Sequence, residues 1–194
     1  AGNEFLFQMQ ASINIKVLNW YQVKKIVTAC PHCFNTLKNE YPQLGGQYEV
    51  LHHTQFLHKL IEEGRLRIDS KIEYRGKKIT FHDPCYLGRA NREYEAPRAL
   101  IKKLSAELVE MKSCKDKGLC CGAGGAQMFK DAEKGDKEIN IERTEQALDT
   151  NTEIIAAGCP FCNTMLHDGV TNKGKESKVA VLDIAQLLAQ TESL

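Results

Sequence analysis

The sequence predicts an α/β fold made of duplicated units with parallel sheets. Short apolar runs alternate with helical patterns along its 194 residues, and strands that alternate with helices form parallel βα units. The chain also matches itself: residues 26–33 resemble 155–162 at an offset of 155 − 26 = 129, and residues 50–57 resemble 181–188 at an offset of 181 − 50 = 131. Each copy reads as helix, strand, Cys-Pro-x-Cys, helix, strand and helix, which indicates a duplication.

The elements of the first copy follow from apolar spacing and from turn residues. Pro31 suits the first turn of a helix, because its missing N–H would have no partner there. Gly45-Gly46 marks a turn, and Gly64 ends the last helix. The predicted helices span residues 1–21, 34–40 and 54–63, an apolar run spans 23–29, and a strand spans 48–51.

A basic stretch, residues 65–78, separates the copies and reads as a solvated linker or an exposed hairpin around Arg75-Gly76. In the second copy, residues 114–125 form a cysteine-rich loop. The predicted strands span 79–81, 108–111, 154–157 and 179–182, and the predicted helices span 96–104, 127–148 and 184–188.

The second copy is expected to be complete and the first to be only a C-terminal part. Subtracting the offset from the paired Cys120 and Cys121 gives 120 − 129 = −9 and 121 − 129 = −8, which fall before Ala1. The chain also does not begin with Met. We therefore expect a C-terminal fragment of about one and a half repeats, with residues 1–68 from the first repeat and 69–194 forming the second.

Composition excludes several classes of function. The chain has 26 Lys+Arg and 25 Asp+Glu, a net charge of +1, which gives no long-range field suited to nucleic acid. The sequence contains neither a run long enough to form a transmembrane segment nor a signal-peptide pattern, so we expect a cytoplasmic protein. With 42% hydrophobic residues it can form a core without disulfide staples.

The eight cysteines therefore favour metal binding or redox chemistry over a disulfide framework. Cys159-x-x-Cys162 at a helix start alone fits a zinc half-site, a thioredoxin-like pair or part of an iron–sulfur site. Adjacent Cys120-Cys121 favours a polynuclear cluster, which offers a separate iron to each sulfur. The glycines that follow allow the backbone to approach and donate N–H groups to sulfur.

Three residues near this pattern keep open roles. Cys114 belongs to no repeated pattern and reads as a free loop thiol. His82 and Asp83 precede Cys85 and could orient the cysteine loop or move a proton, although a strand-end hydrogen bond explains them as well.

The order of cysteines resembles a known family. Cys85 is followed after 34 residues by Cys120-Cys121-Gly122, and 37 residues separate Cys121 from Cys159-Pro160-Phe161-Cys162. This pattern is similar to the CCG cysteine-rich domain of heterodisulfide reductase B and D subunits and related iron–sulfur oxidoreductases. His82-Asp83-Pro84-Cys85 and the string that begins Cys30-Pro31-His32-Cys33 resemble its bacterial members.

The resemblance implies a ligand set and a cofactor. It implies that a [4Fe–4S] cluster, noncubane in heterodisulfide reductase, is held by Cys85, Cys120, Cys121, Cys159 and Cys162. Cys30 and Cys33 match only the last two ligands of a second, incomplete metal site. Some sites of the family hold zinc instead. The implied partners are other redox subunits or domains, such as a flavoprotein or a ferredoxin-type domain, and the parent protein or a partner can lie at the cytoplasmic face of a membrane.

Three functional hypotheses follow. The first is an oxidoreductase module that passes electrons between a flavin or ferredoxin-type donor and a quinone or disulfide acceptor. The second is a structural zinc module with four thiolates, taken from Cys85, one of the paired cysteines, and the last Cys-x-x-Cys. The third is a thioredoxin-like dithiol at Cys30 and Cys33.

Overall fold

The computed structural model describes residues 2–68, 74–131 and 134–191 and contains two parallel sheets. The strands are β1 Lys25–Thr28, β2 Glu49–His52, β3 Lys78–Phe81, β4 Glu107–Leu108, β5 Ile154–Ala157 and β6 Ala180–Asp183. The α-helices are α1 Glu4–Trp20, α2 Pro31–Asn35, α3 His53–Glu62, α4 Cys85–Gly88, α5 Glu95–Lys103, α6 Ile139–Leu148, α7 Pro160–Asn172 and α8 Ile184–Ala189.

The smaller sheet pairs β1 with β2 in parallel, with Ile26 opposite Val50. Helix α2 leaves β1 through Cys30, with Pro31 as its first residue, and continues as one π-helical turn over Thr36–Glu40. Phe34 is buried from this helix against Val50 and reaches Leu87 of α4. The first unit therefore packs directly on the start of the second.

The larger sheet has the strand order β4-β3-β5-β6, all parallel. Strand β5 is central, and all four of its residues are buried. Ile154 and Ala156 enter one hydrophobic core, while Ile155 and Ala157 enter another. This alternation covers both faces of the sheet with helices, as a parallel sheet requires.

The duplication is confirmed at the level of topology. The order α1-β1-α2-β2-α3 recurs as α6-β5-α7-β6-α8, and each sheet pairs the two corresponding strands in parallel. The proposed boundary between residues 68 and 69 stays a prediction, because residues 69–73 lie outside the described residues. Of the predicted linker, Arg75 and Gly76 lie in a turn, and Lys71 lies outside the described residues.

Two predicted elements are too long. The helix expected over 127–148 begins only at Ile139, and Gly124–Phe129 instead forms a 3₁₀ turn in which Ala126 has a left-handed φ of 62°. Charged residues around Gly135 offer no apolar stripe to bury, so no helix packs there; residues 132–133 lie outside the described ranges. The strand expected over 108–111 is only Glu107–Leu108.

No helix within the described ranges combines the length and the apolar character needed to cross a membrane.

Helices α6 and α7 approach closely at Gly169. A Cβ added there would lie 2.0 Å from Thr144 Oγ1 and 3.2 Å from the Asn140 carbonyl oxygen. We predict that Gly169→Ala lowers the free energy of unfolding by about 1–3 kcal/mol, because the two helices must separate. Urea denaturation measures it, with Gly135→Ala, which meets nothing within 4 Å, as the control. Equal stability of both variants would contradict this packing.

Candidate metal centre

Strand ends place the cysteines on one edge of the fold. Cys30 and Cys159 directly precede α2 and α7, and Cys85 is the first residue of α4. Each follows the carboxyl end of a parallel strand, and such ends meet at the same edge of a sheet, where binding sites of open α/β folds lie. Helix α4 also packs against α2, which brings the two units together at this edge.

The five cysteines of the predicted ligand set form a continuous series of contacts. The Cys120 side chain is within hydrogen-bonding reach of both Cys85 and Cys121. The Cys121 side chain also reaches Cys162, which in turn reaches Cys159. All eight cysteines are free thiols, and Cys121, Cys159 and Cys162 are buried. The structure thus brings together five thiols that the sequence separates by up to 77 residues (162 − 85).

These contacts redistribute protons within the group. Hydrogen bonds from Cys121 and Cys85 lower the pKa of Cys120, whereas the pKa of Cys162 is raised by its contacts with Cys121 and Cys159. The pKa of Cys159 falls to about 5, chiefly through the hydrogen bond with Cys162. Thiols that share protons in this way can bind a metal as thiolates and release the protons.

Gly122 gives the paired cysteines their conformation. Its φ of +90° lies in the left-handed region, which favours glycine because a Cβ is strained there. Its N–H donates to Cys120 Sγ over 3.3 Å. A cavity of about 700 Å³ opens beside this turn and is lined in part by Cys120, Gly122 and Met165.

A buried pair of polar side chains lies behind the thiols. His82 and Arg143 are both 0% exposed, and Arg143 Nε donates to His82 Nδ1 over 2.9 Å. The other ring nitrogen of His82 belongs to a group of three buried ligand atoms, with the sulfurs of Cys121 and Cys162, that all lie within 4.8 Å of one another. Burial, followed by the charge of Arg143, lowers the pKa of His82 to about 3.

Asp83 is an anchor for the loop that carries the cysteines. Both of its oxygens accept hydrogen bonds from Arg98, at 2.8 and 2.9 Å. Arg98 also donates to both oxygens of Glu110. The backbone N–H of Lys115 donates to Asp83 Oδ2 over 2.7 Å. Asp83 therefore ties the end of β3 to α5 and to the start of the loop.

Cys30 and Cys33 lie next to the five-thiol group. His32 connects the two sets: its Nδ1 is 3.9 Å from Cys30 Sγ, and its side chain also hydrogen-bonds Cys159. These two contacts raise the pKa of His32 to about 9. The ring of His32 packs 4.5 Å from that of Tyr86 and 5.8 Å from that of Phe161.

His52 holds the two Cys-Pro-x-Cys turns together. Its Nε2 donates to the carbonyl oxygen of Gly158 over 3.0 Å, and Thr54 Oγ1 lies 2.7 Å from its Nδ1. The backbone of Ala29, which precedes Cys30 as Gly158 precedes Cys159, also faces the imidazole. His52 thus bridges equivalent positions of the two units.

Cys114 lies outside the series of thiol contacts. Its nearest charged neighbours are Glu110, Arg98, Asp83 and Lys115, and burial raises its pKa.

Comparison with known proteins agrees with this geometry. A family model described as the cysteine-rich CCG domain matches residues 1–38 and 79–167. This chain belongs to the CCG cysteine-rich domain family. The two matched segments together include all eight cysteines and omit the stretch between the two sheets.

Several curated relatives of this CCG chain match it almost throughout. It is 48% identical over 191 residues to the probable iron-sulfur-binding oxidoreductase FadF of Bacillus subtilis, covering 98% of the chain and 26% of the relative. It is 44% identical to the EtfAB:quinone oxidoreductase of Syntrophomonas wolfei, covering 96% of the chain and 27% of that protein. It is 35% identical to one subunit of the dihydromethanophenazine:CoB--CoM heterodisulfide reductase of Methanosarcina barkeri, covering 93% and 44%.

The chain thus spans about a quarter of the length of the first two relatives and less than half of the third.

Sequence reasoning missed the polar residues that support the site. Arg98 and Arg143 read as ordinary charges on helical patterns, yet both are buried. His32 and His52 read as surface or packing residues, although each contacts both Cys-Pro-x-Cys turns. For the arginines, the only available signal was that each faces the core side of its helix.

The Asp83–Arg98 ion pair provides the first test of the site's scaffold. We predict that Arg98→Met lowers the free energy of unfolding by about 3–5 kcal/mol, because Asp83 remains buried without its partner. Urea denaturation measures the change. Arg65→Met is the control, because Arg65 is 67% exposed and its ion pair with Glu63 contributes at most about 1 kcal/mol. A loss from Arg98→Met no larger than the control's would refute the anchoring role.

His52 gives a pH dependence with a defined sign. Burial, then the neighbouring His53, lowers the pKa of His52 to about 3 from 6.5, so below pH 6.5 only the unfolded chain takes up this proton. The stability that neutral His52 contributes is therefore complete above pH 6.5 and declines toward pH 3, by up to about 1.4 kcal/mol per pH unit. We predict a shallower decline for His52→Asn, measured by denaturation from pH 7 to 4. Parallel curves for the two proteins would show that His52 is not held neutral.

Proposed function

We propose that this chain is the cluster-binding electron-transfer module of an iron–sulfur oxidoreductase. The observation that carries the proposal is the unbroken contact series from Cys85 through Cys120, Cys121 and Cys162 to Cys159. Five thiols in mutual contact exceed what one tetrahedral zinc ion can bind, whereas a polynuclear cluster can use them. The donor set and its buried surroundings therefore fit a [4Fe–4S] cluster.

The surrounding residues suit a redox site. A bound cluster would accept and release single electrons at a potential set by thiolates, hydrogen bonds to sulfur and burial. Gly122 N–H already donates to Cys120 Sγ, and Cys159 and Cys162 are almost fully buried. The cavity beside Cys120 leaves this end of the group open to a partner or a small molecule.

The relatives support the class of reaction and its partners. Their names describe an iron-sulfur-binding oxidoreductase, an EtfAB:quinone oxidoreductase and part of a heterodisulfide reductase. We propose by similarity that electrons pass from a flavoprotein or a ferredoxin-type domain to a quinone or a disulfide. Another relative, from Chromohalobacter salexigens, is named a probable membrane-anchored ferredoxin, which supports a parent protein at the membrane.

Cys30 and Cys33 are proposed as half of a second metal site. Helix α2 presents them as α7 presents Cys159 and Cys162, and His32 contacts both sets. The remaining ligands would come from an equivalent of the Cys120-Cys121 turn, which the described part of the first unit does not contain.

Anaerobic reconstitution with iron and sulfide tests the proposal. We predict about four irons per chain at the five-cysteine site, with acid-labile sulfide and an absorption band that bleaches on reduction. Cys120→Ser should bind less than half as much iron, because Cys120 contacts two of the other thiols. Cys114→Ser, which removes a thiol outside the series, is the matched control and should bind the wild-type amount.

Zinc analysis of the same samples distinguishes the alternatives. One zinc per chain and no retained iron would support the structural zinc module instead. Equal iron in both serine variants would exclude Cys120 as a ligand.

A further inference from the structure

Arg143 is a buried cation whose hydrogen-bond partners are all neutral. It is 0% exposed and donates to His82 Nδ1, to the Ser113 carbonyl oxygen and to Gln146 Oε1. Its Nη2 has no hydrogen-bond partner among the described residues. An arginine stays charged, and burying an uncompensated charge costs several kcal/mol. The protein therefore retains positive charge here for a reason other than packing.

The negative groups that this charge faces belong to the site. Electrostatic attraction reaches Arg143 from Asp83, Cys114, Cys162 and Cys121. Asp83 already accepts two hydrogen bonds from Arg98, so its charge is offset. The thiolates of Cys121 and Cys162 would supply the remaining negative charge once a metal cluster had displaced their protons.

Arg143 also determines which nitrogen of His82 carries a proton. A guanidinium can only donate, so His82 Nδ1, which receives Nε–H over 2.9 Å, must present a lone pair. A proton on Nδ1 would collide with the arginine hydrogen. The ring is consequently neutral with its single proton on Nε2, whatever the pH at which the contact persists.

Nε2–H of His82 is aimed into the thiol group. This atom is buried and has no hydrogen-bond partner among the described residues. It lies within 4.8 Å of the sulfurs of Cys121 and Cys162, which are on the same side. A nitrogen that carries a proton cannot ligate a metal, but it can donate a hydrogen bond to a thiolate or a cluster sulfur.

We propose that Arg143 and His82 form a positioning pair that donates a hydrogen bond and supplies positive charge to the cluster held beside Cys121 and Cys162. His82 is a hydrogen-bond donor rather than a metal ligand, and Arg143 fixes its orientation. The proposal rests on the proposed function for the cluster alone, because the tautomer is a property of the metal-free chain as well. Both residues favour the reduced, more negative cluster and so raise its reduction potential.

Two measurements on the wild-type chain test the donor role. In metal-free protein labelled with ¹⁵N-histidine, long-range ¹H–¹⁵N correlation should show His82 as the neutral ring with the proton on Nε2. Observing the proton on Nδ1 would overturn the proposal. This result does not depend on cluster binding, so it separates failure here from failure of the proposed function. In the reconstituted protein, pulsed EPR should detect only the weak nitrogen coupling of a hydrogen bond; strong coupling typical of a ligated imidazole would likewise overturn it.

Variants test the effect on potential. His82→Leu and Arg143→Gln should keep the wild-type iron content and shift the midpoint potential to more negative values, because each removes a contribution that favours the reduced state. Arg143→Lys, which keeps the charge, should shift it less than Arg143→Gln. Arg65→Gln, which removes an exposed charge, is the matched control and should leave the potential unchanged.

The outcomes of the variant series are decisive in both directions. Potentials equal to wild type in His82→Leu and Arg143→Gln would overturn the tuning role, and loss of iron in His82→Leu would indicate a ligand. If a variant fails to fold, the tautomer and the nitrogen coupling of the wild-type chain still decide the assignment.

Discussion

The whole site depends on one constraint of parallel sheets: the carboxyl ends of neighbouring strands meet at the same edge. Strands β1, β3 and β5 end in Thr28, Phe81 and Ala157, and each is followed within four residues by a cysteine at a helix start. No local segment could gather five thiols whose outermost members are 162 − 85 = 77 residues apart. The sheet register does so, because β5 lies between β3 and β6 with all of its side chains buried.

Converging strand ends bring thiols close, but they do not hold the loops in place. The second requirement is met by buried polar residues, each of which joins two segments. Asp83 joins the end of β3 to α5 and to Lys115. His52 joins the first unit to Gly158 of the second. Buried groups of this kind cost free energy when unpaired, so each restricts the loops to one arrangement and keeps the thiol positions fixed before any metal binds.

The sequence predicted the parts of this design that repeat along the chain. The duplicated order of helices and strands, the parallel sheets and the cysteine spacing all follow from periodicity and self-similarity, and the structure has them. What could not be predicted depends on contacts across the fold. The helix expected over 127–148 begins at Ile139 because only packing on α7 makes that segment helical. The partners of Arg98 and Arg143 lie 15 and 61 residues away, and one sequence contains no signal for such pairs.

The duplication also shows that equal backbones need not give equal sites. By the offset of 129, Arg143 of α6 corresponds to position 143 − 129 = 14 of α1, which is Asn14. Asn14 donates to the Tyr41 hydroxyl over 3.0 Å and carries no charge. A group bound at Cys30 and Cys33 would therefore lack the buried cation that faces Cys121 and Cys162. Since buried charge and hydrogen bonds to sulfur set the potential of such a group, two sites on the same scaffold would differ in potential, and electrons would favour the site beside Arg143.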